Sequence, residues 1–396
     1  YTNGIYFDSR PVVGVPQDQV LPLNDKLAFN PNVSPLKELY DQGKMAIIQG
    51  AGYADSSRSH FRGQDIWQTC EPDRIATEGW LGKLVRDLDP DKENPLTAVS
   101  FGKGLPRALV AKGVTVTSVG ELDTYGLMTG ILAQEQRERA LSIFQKMYEP
   151  AIGSGPVREY LAQTGTDVLR GADILKRAPE LYSSTVEYAD NPIAKSLRDV
   201  ARVHLADLGT RVFYVQHGGY DTHANEVPTH PRLLTELSGA IMDFTQDLQD
   251  HDAADNVVML VFTEFGRRVR DNGSGTDHGA GGGSFVIGER VNGGLYAEYP
   301  SLDLDKQDNG DLSFTYDFRG LYASLLEQWM SVDSTPIVGT YETPGSPVVL
   351  SRTPYRIARP APLLDQHRDE LLAEIDPPLA LPAASEREMA GGPPVA

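Results

Sequence analysis

Short apolar runs rich in β-branched residues recur at residues 45–49, 97–101, 211–216, 257–263 and 284–287, and each reads as a buried strand. Between them apolar residues return every three or four positions, predicting helices over 132–148, 192–208, 231–249 and 318–330. A further helix is expected over 59–69, after a short polar loop at 55–58. Strands alternating with helices predict an α/β fold, doubly wound, with a mostly parallel sheet covered by helices on both faces. From about Pro354 onward Pro and Ala accumulate. The expected organisation is therefore one domain over residues 1–352 and a Pro/Ala-rich tail over 353–396, of which 377–396 offers few apolar anchors for a core.

Composition narrows the partners. A formal net charge of -19 disfavours nucleic acid and anionic membrane, both of which repel an acidic surface. The apolar runs are strand-sized, so no membrane span is expected. Cys70 is the only cysteine, which excludes an intrachain disulfide. The chain opens on Tyr1, and removal of an upstream segment is expected.

In open parallel sheets, ligands bind beyond the carboxyl ends of the strands. Three chemically dense loops follow predicted strands here: 50–60, 217–223 and 264–268. Asp221 and His223 lie two apart in a Gly-Gly-Tyr-Asp-Thr-His loop, a spacing that lets both side chains face one ion when the backbone is extended. The plainer alternative is a turn Asp beside a surface His. Glu264 stands where an apolar strand leaves the core, as a ligand or as a partner of Arg267. In the Gly-rich loop 271–283, His278 offers a ligand and Asp277 a group to orient it, although taken alone the pair fits an Asp-containing turn with an incidental His better. Ser59 and His60 open the 59–69 helix. Ser59 is an ordinary N-cap or a hydroxyl activated by the helix N-terminus, with Ser56 and Ser57 as alternatives. Arg267 and Arg268 offer planar forks for an oxyanion, or partners for acids.

Taken together, Ser59-His-Phe61, Gly218-Gly-Tyr-Asp-Thr-His223, Thr263-Glu-Phe-Gly-Arg267, Gly275-Thr-Asp-His-Gly279 and Asp317-Phe-Arg-Gly-Leu-Tyr322 resemble the DUF1501 family of bacterial proteins. The resemblance implies an alkaline phosphatase/sulfatase-like fold and an exported protein, periplasmic or extracellular, whose relatives carry twin-arginine signals. It also implies a metal-dependent hydrolase of small-molecule or polymer-attached phosphate or sulfate esters. Carried over by residue, Asp221, His223, Glu264 and His278 would hold a divalent ion (Zn, Mn or Ca), and Ser59, His60 and Arg267 would serve catalysis. Two positions depart from that pattern. Phe265 replaces a superfamily His, and Asn225 rather than His223 stands four residues after Asp221. The rival expectation is a non-catalytic exported protein that keeps the fold for binding or assembly.

Overall fold

All eight residues of strand β1 (Met45–Gly52) are buried, and its side chains divide between two apolar clusters. Ala46 and Ile48 enter one, Met45 and Ile47 the other, as a strand's two-residue period requires when both faces are covered. The computed structural model describes residues 1–102, 104–125, 134–148, 171, 172, 174, 175 and 177–341. The expected domain boundary at 352 and the tail 353–396 lie outside the described residues.

The chain mixes helices and sheets as an α/β protein. The strands that matter here, besides β1, are β2 (Ala98–Phe101), β3 (Thr117–Val119), β4 (Val212–Val215), β5 (Met259–Val261), β6 (Arg267–Asp271), β7 (Thr276–His278), β8 (Gly282–Ile287), β9 (Gly294–Tyr296) and β10 (Tyr316–Asp317). β3, β2 and β4 form an all-parallel sheet. The larger sheet runs β9-β1-β8-β5, with β10 also paired to β1. It is mixed rather than mostly parallel, because β8 is antiparallel to both β1 and β5. The physical reason is the connection. β5 returns to the sheet through the antiparallel ladder β6-β7 instead of a crossover helix, and antiparallel neighbours need no crossover.

The main helices are α1 (Ser34–Asp41), α2 (His60–Thr69), α3 (Trp80–Leu88), α4 (Gln134–Tyr148), α5 (Pro192–Leu205), α6 (Glu226–Asp250) and α7 (Phe318–Gln328). One cluster joins α2, α3 and α7, with Trp67 stacked on Phe318 at 4.2 Å and Trp80 on Tyr322 at 4.2 Å. The other joins α1, α5 and α6. Local signals set the helix starts. Asn191 accepts from Ala194 N with Pro192 in the first turn of α5, and Asp317 accepts from Arg319 N at the start of α7. The Asp317–Tyr322 motif is thus largely structural, because Phe318 and Tyr322 are both fully buried. α6 begins at Glu226 rather than at residue 231, so that Pro231 lies inside it. A proline there forfeits one hydrogen bond of the ladder, which the buried face of Leu233, Ile241, Phe244 and Leu248 offsets.

The antiparallel run of β8 decides where the site forms. It sets Gly282 opposite Ala51, so the loop entering β8 arrives at the carboxyl end of β1.

Candidate metal centre

The donors come from four separate segments of the chain. β1 leads through loop 53–59 to His60, the first residue of α2, whose N-cap Ser59 is extended (φ -93°, ψ 125°). The segment after β4 carries Asp221 and His223, β5 leads into Glu264, and β7 ends on His278. The two glycines that flank the last motif are there for close approach. A Cβ at Gly275 would fall 2.0 Å from Thr222 O, and one at Gly279 would fall 2.6 Å from the Arg267 backbone.

Asp221 is the hub. Its Oδ1 lies 2.7 Å from His278 Nε2 and 3.1 Å from His223 Nε2, while its Oδ2 lies 3.2 Å from His60 Nε2. His223 Nε2 and His278 Nε2 are 2.9 Å apart. The donor atoms of His60, Asp221 and His278 all fall within 4.8 Å of one another. Asp221 is nearly half exposed, so the group opens to solvent.

The opposite nitrogen of each ring is committed elsewhere. His60 Nδ1 donates to Glu264 Oε1 at 2.7 Å, His223 Nδ1 to Asp277 Oδ1 at 2.8 Å, and His278 Nδ1 to the Arg58 carbonyl at 2.7 Å. Carboxylate and carbonyl oxygens only accept, so each Nδ1 carries the hydrogen, and in a neutral ring Nε2 then presents a lone pair. Three lone pairs therefore face a carboxylate and one another. His60 Nε2 is in addition buried without a hydrogen-bond partner. Acceptors crowded like this repel unless a cation, proton or metal, lies among them.

The surroundings act in the same direction. Burial alone would raise the Asp221 carboxyl, but the facing His278 imidazole, the Arg267 guanidinium and the His60 imidazole hold it well below the usual carboxylate range. Burial would lower the His60 imidazole, yet the Glu264 and Asp221 carboxylates together raise it. Glu264, whose burial also opposes its charge, is kept ionised by His60, Gln64 and Thr263. Phe265 forms the apolar back wall, with its ring 5.0 Å from His60 and 4.6 Å from His278.

The sequence-derived candidates are thus placed as follows. Asp221, His223 and His278 come together. His60, expected beside Ser59 as a catalytic group, faces Asp221 among the donors. Glu264, expected as a donor to the ion, stands behind His60 and bonds its Nδ1. Asp277, expected to orient its neighbour His278, orients His223 instead. Arg267 holds Asp221 Oδ1 at 3.0 Å and is itself fixed by Thr276 Oγ1 at 3.1 Å. Arg268 pairs with Asp311. Ser59 is exposed, makes no capping bond through its side chain, and its N–H donates to Ser57 Oγ at 3.3 Å. His217 turns to Tyr220 and Glu236, and His230 to Glu226. Sequence reasoning missed the Arg58 carbonyl, Gln64, which donates to Glu264, and the buried pair Thr276 and Glu226 behind Arg267. A side-chain motif carries no signal for a carbonyl ligand. Among the described residues no helix is long and apolar enough to cross a membrane.

Residues 55–337 match the family described as "Protein of unknown function (DUF1501)". No curated protein and no solved structure matches the chain.

Proposed function

We propose that this chain, which belongs to the DUF1501 family, is a metal-dependent hydrolase of phosphate or sulfate esters whose ion is held by Asp221, His223, His278 and His60. One observation carries the metal reading: three imidazoles have their Nδ1 hydrogens fixed on oxygen acceptors and their Nε2 lone pairs turned toward a single carboxylate. Metal-binding histidines are typically oriented in this way. Three imidazoles and one carboxylate suit Zn or Mn better than Ca, which prefers an all-oxygen shell.

A divalent ion bound there would act as a Lewis acid toward an ester oxygen. The chain's own residues prepare for that role. Glu264, Asp277 and the Arg58 carbonyl fix the three rings, Arg267 fixes Asp221, and Phe265 keeps water from the back of the site. Ser59 places an exposed hydroxyl at the N-terminus of α2, beside His60, where a developing oxyanion is favoured. An alkaline phosphatase-like arrangement of the sheets, and export to the periplasm or beyond, belong to the same proposal.

A second reading has its own support. Arg58, Arg267 and Arg268 are all paired with Asp311 or Asp221. Groups already committed to carboxylates are poorly disposed to clamp a substrate oxyanion, which favours a metal-bound binding or assembly protein. Elemental analysis together with turnover of p-nitrophenyl phosphate and p-nitrophenyl sulfate separates the readings. Hydrolysis requires stoichiometric metal and turnover, with His278→Ala losing both and Ser59→Ala losing turnover alone. Metal without turnover selects the binding role, and absence of metal from protein purified without chelator and supplied with Zn or Mn overturns the centre itself.

A further inference from the structure

Asp311 is 253 residues from Arg58 in sequence, yet the two side chains meet in an ion pair whose carboxylate is fully buried. Arg58 Nε and Nη2 approach Asp311 Oδ2 at 2.8 and 2.6 Å, and Arg268 Nε approaches Oδ1 at 3.2 Å. The Asp311 side chain has no solvent exposure. A buried carboxylate held between two guanidinium groups has little freedom to move, because separating it from them would leave its charge uncompensated.

The pair sits between the parts that shape the donor ring. Arg58 is the residue whose carbonyl accepts from His278 Nδ1. Arg268 follows Arg267, which holds Asp221, and Arg267 lies opposite His278 in the β6-β7 ladder. The Asp311 backbone neighbours are tied to the same hairpin. Val269 N donates to Gly310 O at 3.1 Å and Gly281 N to Leu312 O at 2.8 Å. Three segments distant in the chain are therefore clamped at one buried carboxylate.

We infer that Asp311 is a positioning residue for the donor ring: through Arg58 it fixes the carbonyl that sets the orientation of His278, and through Arg268 it fixes the strand that brings Arg267 to Asp221. This rests on the metal reading above for its purpose, but not for its test. Asp311 touches none of the donors itself, so its effect must pass through the geometry of His278.

The experiment uses the whole chain and two readouts. In metal-free protein, the imidazole ¹⁵N resonances of His278 report which nitrogen carries hydrogen. Asp311→Asn is expected to shift or broaden them, as is Arg58→Met, which leaves the carbonyl in place but releases its anchor, whereas Arg58→Lys restores part of the wild-type signal. With Co²⁺ as the probe, the same two variants are expected to lose about 10- to 100-fold in affinity and to change the visible spectrum of the bound ion. Asp199→Asn is the control, since Asp199 is another buried carboxylate, paired with Arg202 and remote in contacts from the ring. It is expected to lower the melting temperature while leaving His278 and Co²⁺ binding unchanged. Wild-type His278 resonances in both variants overturn the positioning role, whether or not any metal binds. Failure of wild-type protein to bind Co²⁺ alongside altered His278 resonances removes the metal reading and leaves the positioning role standing. If Asp311→Asn does not fold, Arg58→Met, at a partly exposed site, decides the matter.

Discussion

Two aspartates organise polar clusters in this protein, and they solve the same electrostatic problem in opposite ways. Asp247, inside α6, is wholly buried and meets only donors: Tyr182 Oη at 2.6 Å, Ser184 Oγ at 2.6 Å and Tyr188 Oη at 2.8 Å. Burial, reinforced by the Asp247 charge, pushes the Tyr182 phenol up to about 12 and the Tyr188 phenol higher still, so both remain hydroxyl donors. His251 completes that cluster by donating from both nitrogens, to Asp247 O at 2.7 Å and Ser183 O at 2.8 Å. Asp221, by contrast, is nearly half exposed and, besides its donor Arg267, is ringed by three imidazoles whose Nδ1 hydrogens point away from it. A cluster whose lone pairs all find hydrogens is complete as it stands and holds the fold together. A cluster whose lone pairs face each other is incomplete without a cation, and completion by a cation is what a functional centre provides.

The sharpest way to break this contrast is to remove one donor from each cluster. His278→Ala is expected to weaken Zn²⁺ or Mn²⁺ binding by more than about 100-fold, read by isothermal titration, with little change in the melting temperature of the metal-free protein. Because a ligand that binds only the folded state raises its stability, the same variant should also lose the upward shift in melting temperature that metal gives the wild type. Asp247→Ala should do the reverse. It strands three partly buried hydroxyl donors and is expected to cost on the order of 3 kcal/mol of stability by urea denaturation, with metal affinity unchanged in whatever fraction remains folded. If His278→Ala destabilised the metal-free protein as severely as Asp247→Ala, the two clusters would both be structural.

A gentler change tests the support rather than the donors. Glu264→Gln keeps the shape beside His60 but replaces a carboxylate acceptor with a neutral amide, and it is expected to lower metal affinity about 10-fold, at the small end of what such outer partners contribute. An affinity loss as large as that of His278→Ala would instead make Glu264 a direct donor, as its position at the end of a strand first suggested.

How much of this was legible in the sequence follows from what a linear pattern can carry. Apolar runs identified β1, β2, β4, β5 and β8 because burial on both faces leaves an unbroken β-branched signature, and that signature says nothing about direction. The antiparallel run of β8, which brings His278 to the end of β1, was therefore invisible. The α6 start was misplaced because Pro231 reads as a first-turn residue, although the helix tolerates it in its interior. Asp221, His223 and His278 stood out as imidazoles and a carboxylate in Gly-rich loops near strand ends. Their partners did not, because spacing cannot say that Asp277 turns to His223 rather than to its neighbour, or that Glu264 turns to His60. Contacts such as Arg58 with Asp311 join residues with no local relation, so only the folded chain reveals them.

The smallest expected effect concerns pH, and it belongs to the structural cluster. His251 is held above its ordinary value, chiefly by donation to the Asp247 carbonyl, against the opposing pull of burial, with further support from the Ser183 carbonyl and the charges of Asp247 and Asp250. Its ring also lies along the Tyr182 ring at 6.3 Å. A histidine whose folded value is raised adds stability that is fully present below its unfolded value, near 6.5, and is lost as pH rises through the higher folded value. The deprotonated ring can donate from only one nitrogen, so either the Asp247 or the Ser183 carbonyl loses its partner. The group is partly solvent-exposed, which limits the effect to about 1 kcal/mol or less. In metal-free protein, melting temperature should therefore fall modestly between about pH 6.5 and the alkaline side of neutrality. His251→Gln, with a single amide donor group and no charge to lose, should flatten that slope and leave metal binding at Asp221 untouched. A slope that survives His251→Gln but disappears in His60→Gln would move the pH response from the self-satisfied cluster to the open one.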